Sequence, residues 1–385
     1  MTYQVNHLPV LTWNALKLNA AAMDFTPEGI AAPALTINHF YGDAEMERDL
    51  PVSAFDARIA APGTSNEEEA VVAGKFPIYA AQSFPTGMGA DADRLMRDAE
   101  VPGAVLTFPE NCAPKKHITF RYTVPAGKSS LARLLIVAKK GTDASVLLYA
   151  ASEDAAAFGM QTYVYLEEGA RLTLTAVQRM EGGSFFFHDV GGWGMERSSF
   201  TFRGLDLGAK TVYEGLNHTQ AGDESVFSAD LGYLGLPGSH TDINYNDVFR
   251  GRRADGRMYF KGALMEGAEK TFRGTIDFRK ASVGCTGDEQ EDVILLGDDV
   301  VNKTIPLILG EEEDVEGRHA STIGSLSDDM LFYMQTRGID RVRAEELMVR
   351  ASLAGIADKI PSDDIRCGVN TYIADVFKVE GDEEA

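Results

Sequence analysis

The sequence is poor in cysteine. Its three cysteines, Cys112, Cys285 and Cys367, lie far apart, and no C-x-x-C pair occurs. A zinc or iron–sulfur centre held by one chain needs about four closely grouped thiolate or imidazole ligands, and an odd number of cysteines argues against a disulfide framework. The sequence therefore predicts no self-contained metal centre, and we interpret each cysteine as a small buried hydrophobic residue.

Long apolar runs and basic residues are also scarce. No run approaches the roughly 20 residues that a membrane-spanning helix requires, and the N-terminal residues lack the pattern of a secretion signal. The 36 Lys and Arg residues against 58 Asp and Glu residues give a net charge of −22, which repels nucleic acid and anionic membranes. We expect a cytoplasmic protein that binds neither.

Long amphipathic helices are missing from the N-terminal part of the chain. Only residues 91–100 have a helical pattern there, because prolines interrupt every other candidate. We interpret residues 1–115 as a small, loop-rich α/β region. The interrupting prolines are Pro9, Pro27, Pro33, Pro51, Pro62, Pro77 and Pro85.

The middle of the chain consists of short β-rich runs. Alternating runs such as ITFRYTV and RLTLTAV, each ended by Gly, Asp, Asn or Glu, predict half-buried strands and exclude a βαβ fold. A Gly-Ala step precedes a strand at Gly169, Gly208 and Gly267, at separations close to multiples of about 20 residues, a plausible coil length for a parallel β-solenoid. The repeat leaves a β-sandwich or barrel open as alternatives. We assign residues 116–322 to this β core.

The sequence pattern of the C-terminal part predicts helices. Ser327 begins one helix that ends before Gly338, and Asp340 begins a second that Pro361 follows. We assign residues 323–385 to a helical region with an acidic tail that we interpret as solvated. The tail comprises Glu380, Asp382, Glu383 and Glu384.

Histidines and aspartates in the β core allow an enzymatic alternative. Solenoid polysaccharide lyases build sites from such groups on an outer strand face, although they are typically exported. The candidate residues are His188, His218, His240, Asp189, Asp223, Asp242 and Asp247.

One C-terminal stretch carries a family resemblance. The segment DVEGRHASTIGSLSDDMLFYMQTRGIDRVRAEELMVRASLAGI resembles the C-terminal signature of the SufB/SufD family of iron–sulfur cluster assembly proteins, with its histidine element, LFYL-x-SRG helix and Ala-rich helix. The stretch GDEQEDVILLGDDVVNKTIPLILGEEEDVEG before it also looks like the last strands of the family. The resemblance implies a mainly β protein, a right-handed parallel β-helix, with a non-catalytic scaffold function.

The resemblance also implies partners. In the family, a SufB and a SufD associate through their β-helices, and each carries a SufC ATPase on its C-terminal helices. The candidate docking surface for the ATPase is the apolar stripe Leu347, Ala351 and Ala354, with Arg343 and Arg350 alongside. Packing of this stripe within the chain is the alternative.

The same resemblance points to a site shared between subunits. His319 corresponds to the SufD histidine at the SufB–SufD interface, and we interpret it as a neutral imidazole metal ligand or proton acceptor, with Glu316 or Asp314 near enough in sequence to orient it. Glu291 stands where SufB has its essential cysteine, and a carboxylate is a poorer ligand for sulfide-bridged iron. We therefore expect a SufD-type subunit that binds no permanent cofactor and shares a transient iron–sulfur cluster with its partner. A lone SufB-like homodimer is the remaining alternative.

Overall fold

The structure is a computed structural model that describes residues 1–26, 29–38, 44–60 and 85–378. The predicted acidic tail lies outside these residues, as do Pro27, Pro62 and Pro77. The first strands form a separate antiparallel pair, β1 (Thr2–Val5) with β2 (Ala21–Asp24). A 3₁₀ turn, Asn14–Leu16, lies between them.

The rest of the strands form two sheets, and consecutive strands of the core alternate between them, so the chain winds as a parallel β-solenoid. The predicted mainly β solenoid is confirmed, and the sandwich and barrel alternatives are excluded. Sheet I contains β3 (Ala34–Asn38), β6 (Ile118–Val124), β8 (Asp143–Ser152), β10 (Arg171–Arg179), β12 (Ser199–Asp206), β14 (Val226–Gly235), β16 (Asp255–Leu264), β18 (Cys285–Leu295) and β20 (Val315–Ser325). Sheet II contains β4 (Glu45–Leu50), β5 (Gly103–Phe108), β7 (Ser129–Ala138), β9 (Ala157–Leu166), β11 (Phe185–Gly194), β13 (Thr211–Gln220), β15 (His240–Phe249), β17 (Glu269–Phe278) and β19 (Val301–Gly310).

The length of one coil differs from the expectation. Asp143, Arg171 and Ser199 are successive partners in sheet I, at intervals of 28 residues, so the predicted coil of about 20 residues is wrong. The spacing of the glycines gave a wrong coil length because the three residues lie at two different corners of the coil. Gly169 precedes a strand of sheet I, whereas Gly208 and Gly267 precede strands of sheet II. Gly169 and Gly267 have positive φ, and a Cβ on Gly208 would collide with the carbonyl oxygen of Met180, so each corner does require glycine.

The interior of the solenoid is the main core. Side chains alternate along each strand, and the inward ones meet between the two sheets. Aromatic residues stack from coil to coil, as in Phe200 and Phe227, whose ring centroids lie 5.8 Å apart. Burying each such ring stabilises the fold by about 2 kcal/mol.

The N-terminal region covers the outer face of sheet II. Helix α1 (Val52–Ala60) buries Phe55 and Ile59 against it, and α2 (Ala90–Asp98) packs there beside β1 and β2. Helix α2 agrees with the helix expected at residues 91–100. The parallel pairing begins at β5, ahead of residue 116, the predicted start of the core.

The C-terminal helices cover the outer face of sheet I. Helix α3 (Asp328–Thr336) begins at the predicted cap Ser327, and α4 (Arg341–Ala357) begins at Asp340, whose carboxylate accepts a hydrogen bond from the Arg343 amide at 2.8 Å. Helix α5 (Asp363–Val376), which the sequence analysis did not anticipate, packs with α4 on sheet I. None of the helices in the described ranges has the length and apolar character of a transmembrane span.

The two ends of the solenoid differ. At the first coil, β3 and β4 pair antiparallel with β6 and β5 and cover the parallel edges. At the last coil, β19 and β20 are the final strands of their sheets, and no described strand pairs with their outer edges. We call this last coil the open end.

Candidate functional site

The open end brings the predicted interface residues His319 and Glu291 to one side of the same sheet. Strand β18 alternates strictly, and its buried residues, which include Glu289 and Glu291, face the solenoid interior. His319 on β20 is the register partner of Glu289. Paired residues of a parallel ladder point to the same face, so His319 also lies on the interior side, one coil further out, and it is exposed to solvent.

Glu291 is fully engaged by its neighbours. Its carboxylate forms an ion pair with Lys270, and both side chains are completely buried. It also accepts hydrogen bonds from the Tyr233 hydroxyl at 3.1 Å and the Thr304 hydroxyl at 2.6 Å. Tyr233 reaches across Gly262, where a Cβ would collide with its ring. Burial lowers the pKa of Lys270, and the Glu291 carboxylate opposes that shift. Glu291 is thus a structural carboxylate in a satisfied network.

Glu289 differs from Glu291 in its hydrogen bonding. Burial raises its pKa to about 8, and the nearby Glu291 charge adds to this shift, so the group is largely protonated at neutral pH. Its Oε2 is buried and has no hydrogen-bond partner among the described residues. That oxygen lies over Gly274 of β17, where a Cβ would collide with it. Sequence reasoning missed Glu289, although its spacing of two from Glu291 on a strand could have indicated a shared face.

Glu316 does not lie beside His319. Successive side chains of a strand face opposite ways, so three positions along β20 separate Glu316 and His319 onto opposite faces. Glu316 instead pairs with Arg318, at 2.7 Å, on the exposed outer face. Asp314 precedes the strand, and its carbonyl accepts from the Gly284 amide at 2.7 Å. The expectation that Glu316 orients His319 is therefore wrong, because closeness in sequence does not bring alternating side chains together.

The predicted docking residues lie on α4, mostly away from the body of the protein. The face of α4 that packs on sheet I is formed by Val349, Leu353 and Ile356. Ala351 is exposed, whereas Leu347 and Ala354 are partly buried. Arg343 and Arg350 both form ion pairs with Glu346.

Helix α3 is the less embedded of the neighbouring helices, with Leu331 as its buried residue. Phe332 and Tyr333 are 68% and 59% exposed, and Met330 and Val342 are also partly open to solvent. An exposed apolar patch of this kind typically marks an interaction surface. We call Met330, Phe332, Tyr333 and Val342 the α3 patch.

The residues considered for a lyase do not form an open site. His188 and His218 are buried inside the solenoid, and burial lowers the pKa of each to about 3. Asp189 lies under the N-terminal region, and Asp242 is buried in an ion pair with Arg273. His240 is half-buried in the sheet II face, Asp247 is buried, and Asp223 pairs with Arg252. Most of these side chains are buried or held in ion pairs, so they do not form the shared, accessible site that the lyase alternative requires.

The cysteines are dispersed in the fold as well. Cys112 and Cys285 are buried, as expected, whereas Cys367 is exposed on α5 and corrects the expectation for that residue. Burial raises the pKa of the Cys285 thiol. No group of three or more His, Cys, Asp or Glu side chains in the described part of the chain is arranged to hold a metal ion.

The fold and the open end define a class: a β-solenoid protein whose last coil carries an exposed histidine on the interior side of an edge strand. Comparison with known families is specific. Residues 120–352, more than half of the chain, match the family model described as SUF system FeS cluster assembly, SufBD core domain. The chain belongs to the SufBD family of iron–sulfur cluster assembly proteins.

Curated relatives are distant. The chain is 21% identical over 270 residues to the iron–sulfur cluster assembly protein SufD of Bacillus subtilis, covering 69% of this chain and 62% of that protein. It is 24% identical over 226 residues to a chloroplastic SufBD family protein of Arabidopsis thaliana, covering 57% and 40%. It is 21% identical over 126 residues to the Bacillus subtilis SufB protein, covering 33% and 27%. The matches thus span less than two thirds of these relatives.

Proposed function

We propose that the protein is a non-catalytic, SufD-type scaffold subunit, which pairs with a SufB-like subunit at its open end and presents His319 to a transient iron–sulfur cluster. The observation that carries the proposal is the open end itself, where His319 stands exposed on the edge strand β20, whose outer edge pairs with no described strand. In this proposal the cluster is cargo, and its remaining ligands come from the partner subunit.

The SufD type is supported by Glu291. Where SufB has a cysteine, this chain has a carboxylate that is held by Lys270, Tyr233 and Thr304. A carboxylate so engaged is unsuited to bind sulfide-bridged iron. The longer match to a SufD than to a SufB, 270 against 126 residues, supports the same assignment.

A solenoid partner at the open end is supported by the apolar side chains there. Ile308 and Ile323, which point toward the interior in register with Ile276 and Val293, are 40% and 45% exposed. Terminal coils of solenoids normally need a cap over such residues. An unpaired strand edge with exposed apolar side chains suits pairing with the edge of another sheet.

The test is binding of a co-expressed SufB-like subunit. Ile323→Glu places a charge at the proposed interface, and we expect complex affinity to fall at least about 10-fold, or about 1.4 kcal/mol. Val226→Glu is the matched control, because Val226 is 41% exposed but lies in the middle of the solenoid. Equal affinities for the two variants would contradict a partner at the open end. A stable dimer of the chain alone, lost in Ile323→Glu, would favour the homodimeric alternative.

The ATPase is the second proposed partner. We assign its docking surface to the C-terminal helices, at the α3 patch and the adjoining part of α4 that includes the exposed Ala351 and the partly buried Leu347 and Ala354. The exposed aromatic rings of α3 support this, because aromatic residues commonly anchor interfaces.

A further inference from the structure

Glu289 and His319 are neighbours across the last two strands of sheet I. They are register partners in the parallel pair β18–β20, and adjacent parallel strands lie about 4.8 Å apart. Both side chains are on the interior side of the sheet, at the end where no described strand follows. An imidazole and a carboxyl group thus stand side by side at the mouth of the solenoid.

The carboxyl group of Glu289 lacks a full set of partners. It is 1% exposed, and its Oε2 has no hydrogen-bond partner among the described residues. An unsatisfied buried polar atom costs about 1–3 kcal/mol, and a bound metal ion would supply the partner that this oxygen lacks. The neighbouring Glu291 differs, because Lys270, Tyr233 and Thr304 occupy its oxygens.

A glycine on the opposite sheet leaves room for the Glu289 carboxyl group. Gly274 on β17 faces Glu289, and any larger residue there would occupy the position of Oε2. On the outer side of β20 lie Glu316 and Arg318, which bind each other and face away. His319 is therefore the neighbouring side chain of β20 that shares the interior side with Glu289 at this level of the ladder.

We infer that Glu289 and His319 form a two-donor half-site for a divalent first-row metal ion such as ferrous iron. His319 provides one imidazole nitrogen, and Glu289 provides one carboxylate oxygen after its carboxyl group releases a proton to solvent on metal binding. This set of nitrogen and oxygen donors suits such ions, and two donors leave coordination positions for water or a partner's side chains. The inference rests on the proposed function of the open end and adds a second ligand, from a different strand, to His319.

The experiment uses the full chain and Co²⁺ alone, whose visible absorption reports nitrogen and oxygen coordination. We expect one equivalent of Co²⁺ to bind, and its affinity to fall at least about 10-fold in both Glu289→Gln and His319→Ala. Glu316→Gln is the matched control, because Glu316 lies on β20 like His319 but on the outer face of the sheet. The affinity of this variant for Co²⁺ should equal that of the wild type. Glu289→Asp, which keeps a carboxylate, should restore part of the binding.

Two results would overturn the half-site. One is wild-type protein that binds no Co²⁺, and the other is Glu289→Gln binding as tightly as Glu316→Gln. Thermal unfolding of each variant separates loss of a ligand from loss of the fold. Binding of the SufB-like subunit by the wild-type protein is measured in parallel. Co²⁺ binding that depends on both residues, in a wild-type chain that pairs with no such subunit, would sustain the half-site while refuting the proposed function.

Discussion

Lys270 and Glu291 form an ion pair without solvent contact at the end of the solenoid interior. Such a pair repays its desolvation only when hydrogen bonds satisfy the remaining atoms. Here Tyr233 and Thr304 donate to the carboxylate. The arrangement explains how a charged residue can occupy a core position of β18 without opening that position to metal.

Removing one member of this pair should be costly. Lys270→Met leaves the Glu291 carboxylate buried without its cation, and we expect the free energy of unfolding to fall by about 3–5 kcal/mol. The double variant Lys270→Met/Glu291→Gln should recover most of that loss, because no charge remains buried. Urea denaturation measures both.

The exposed pair Arg253–Glu224, at 2.7 Å, supplies the control. Arg253→Met should change stability by less than about 1 kcal/mol, because water screens the exposed charges. A Lys270→Met variant as stable as Arg253→Met would show that the buried pair does not contribute in the way described.

A network of buried hydrogen bonds connects the N-terminal region to sheet II. The Asp189 carboxyl accepts a hydrogen bond from the Met88 amide at 2.8 Å, and Gln161 donates to both Asp189, at 3.0 Å, and Asp93 of α2, at 2.7 Å. Burial raises the pKa of Asp189 to about 7, with the Asp93 charge adding to the shift. Burial also raises the pKa of Asp93, against hydrogen bonds from Tyr163 and Gln161. The attachment of this region therefore depends on protonation.

The sign of the pH dependence follows from these raised pKa values. Between pH about 4 and 7 the folded state holds a proton on Asp189 that the unfolded state has released, so the contribution to stability is full at low pH and is lost as pH rises through 7. We expect the amides of residues 86–88 to exchange faster at pH 8 than at pH 5, after correction for intrinsic exchange rates. Asp189→Asn should flatten that difference.

The test compares the pH dependence of amide exchange and not the absolute stability of Asp189→Asn, because the new amide also changes the contact with Gln161. An unchanged dependence on pH in this variant would assign the effect to other groups, Asp93 first among them.

The two proposed interfaces, the open end and the α3 patch, lie on different elements of the molecule. The open end is formed by β19 and β20, whereas the α3 patch lies on α3 and the first turn of α4, the helices that follow β20. Substitutions at one surface should therefore leave the other intact.

This separation can be tested with one pair of variants. Phe332→Ser/Tyr333→Ser should lower the affinity for the ATPase subunit at least about 10-fold while leaving the SufB-like subunit bound, because hot spots are aromatic and local. Ile323→Glu should do the reverse. Co-purification of all three subunits measures both, with Val226→Ser as a control at an exposed apolar residue in the middle of the solenoid, outside both proposed surfaces. Loss of both partners from either variant would contradict two independent surfaces.

What could be read from the sequence was local. Period-two alternation predicted the strands of the solenoid, and the side chains of Ser327 and Asp340 predicted the starts of α3 and α4, because capping depends on residues a few positions apart. The family match likewise depended on a contiguous stretch, and it indicated His319. The scarcity of cysteine already argued against a self-contained cluster site.

Other features depended on the register between strands of adjacent coils. The coil of 28 residues, the partners of Glu291, and the pairing of His319 with Glu289 rather than Glu316 follow from register between strands about 30 residues apart. A sequence pattern does not contain that register, because a shift of one residue reverses every side chain to the other face. Residue type and spacing therefore determined the strands and caps, and only the packing of successive coils decided which buried carboxyl group accompanies the exposed histidine.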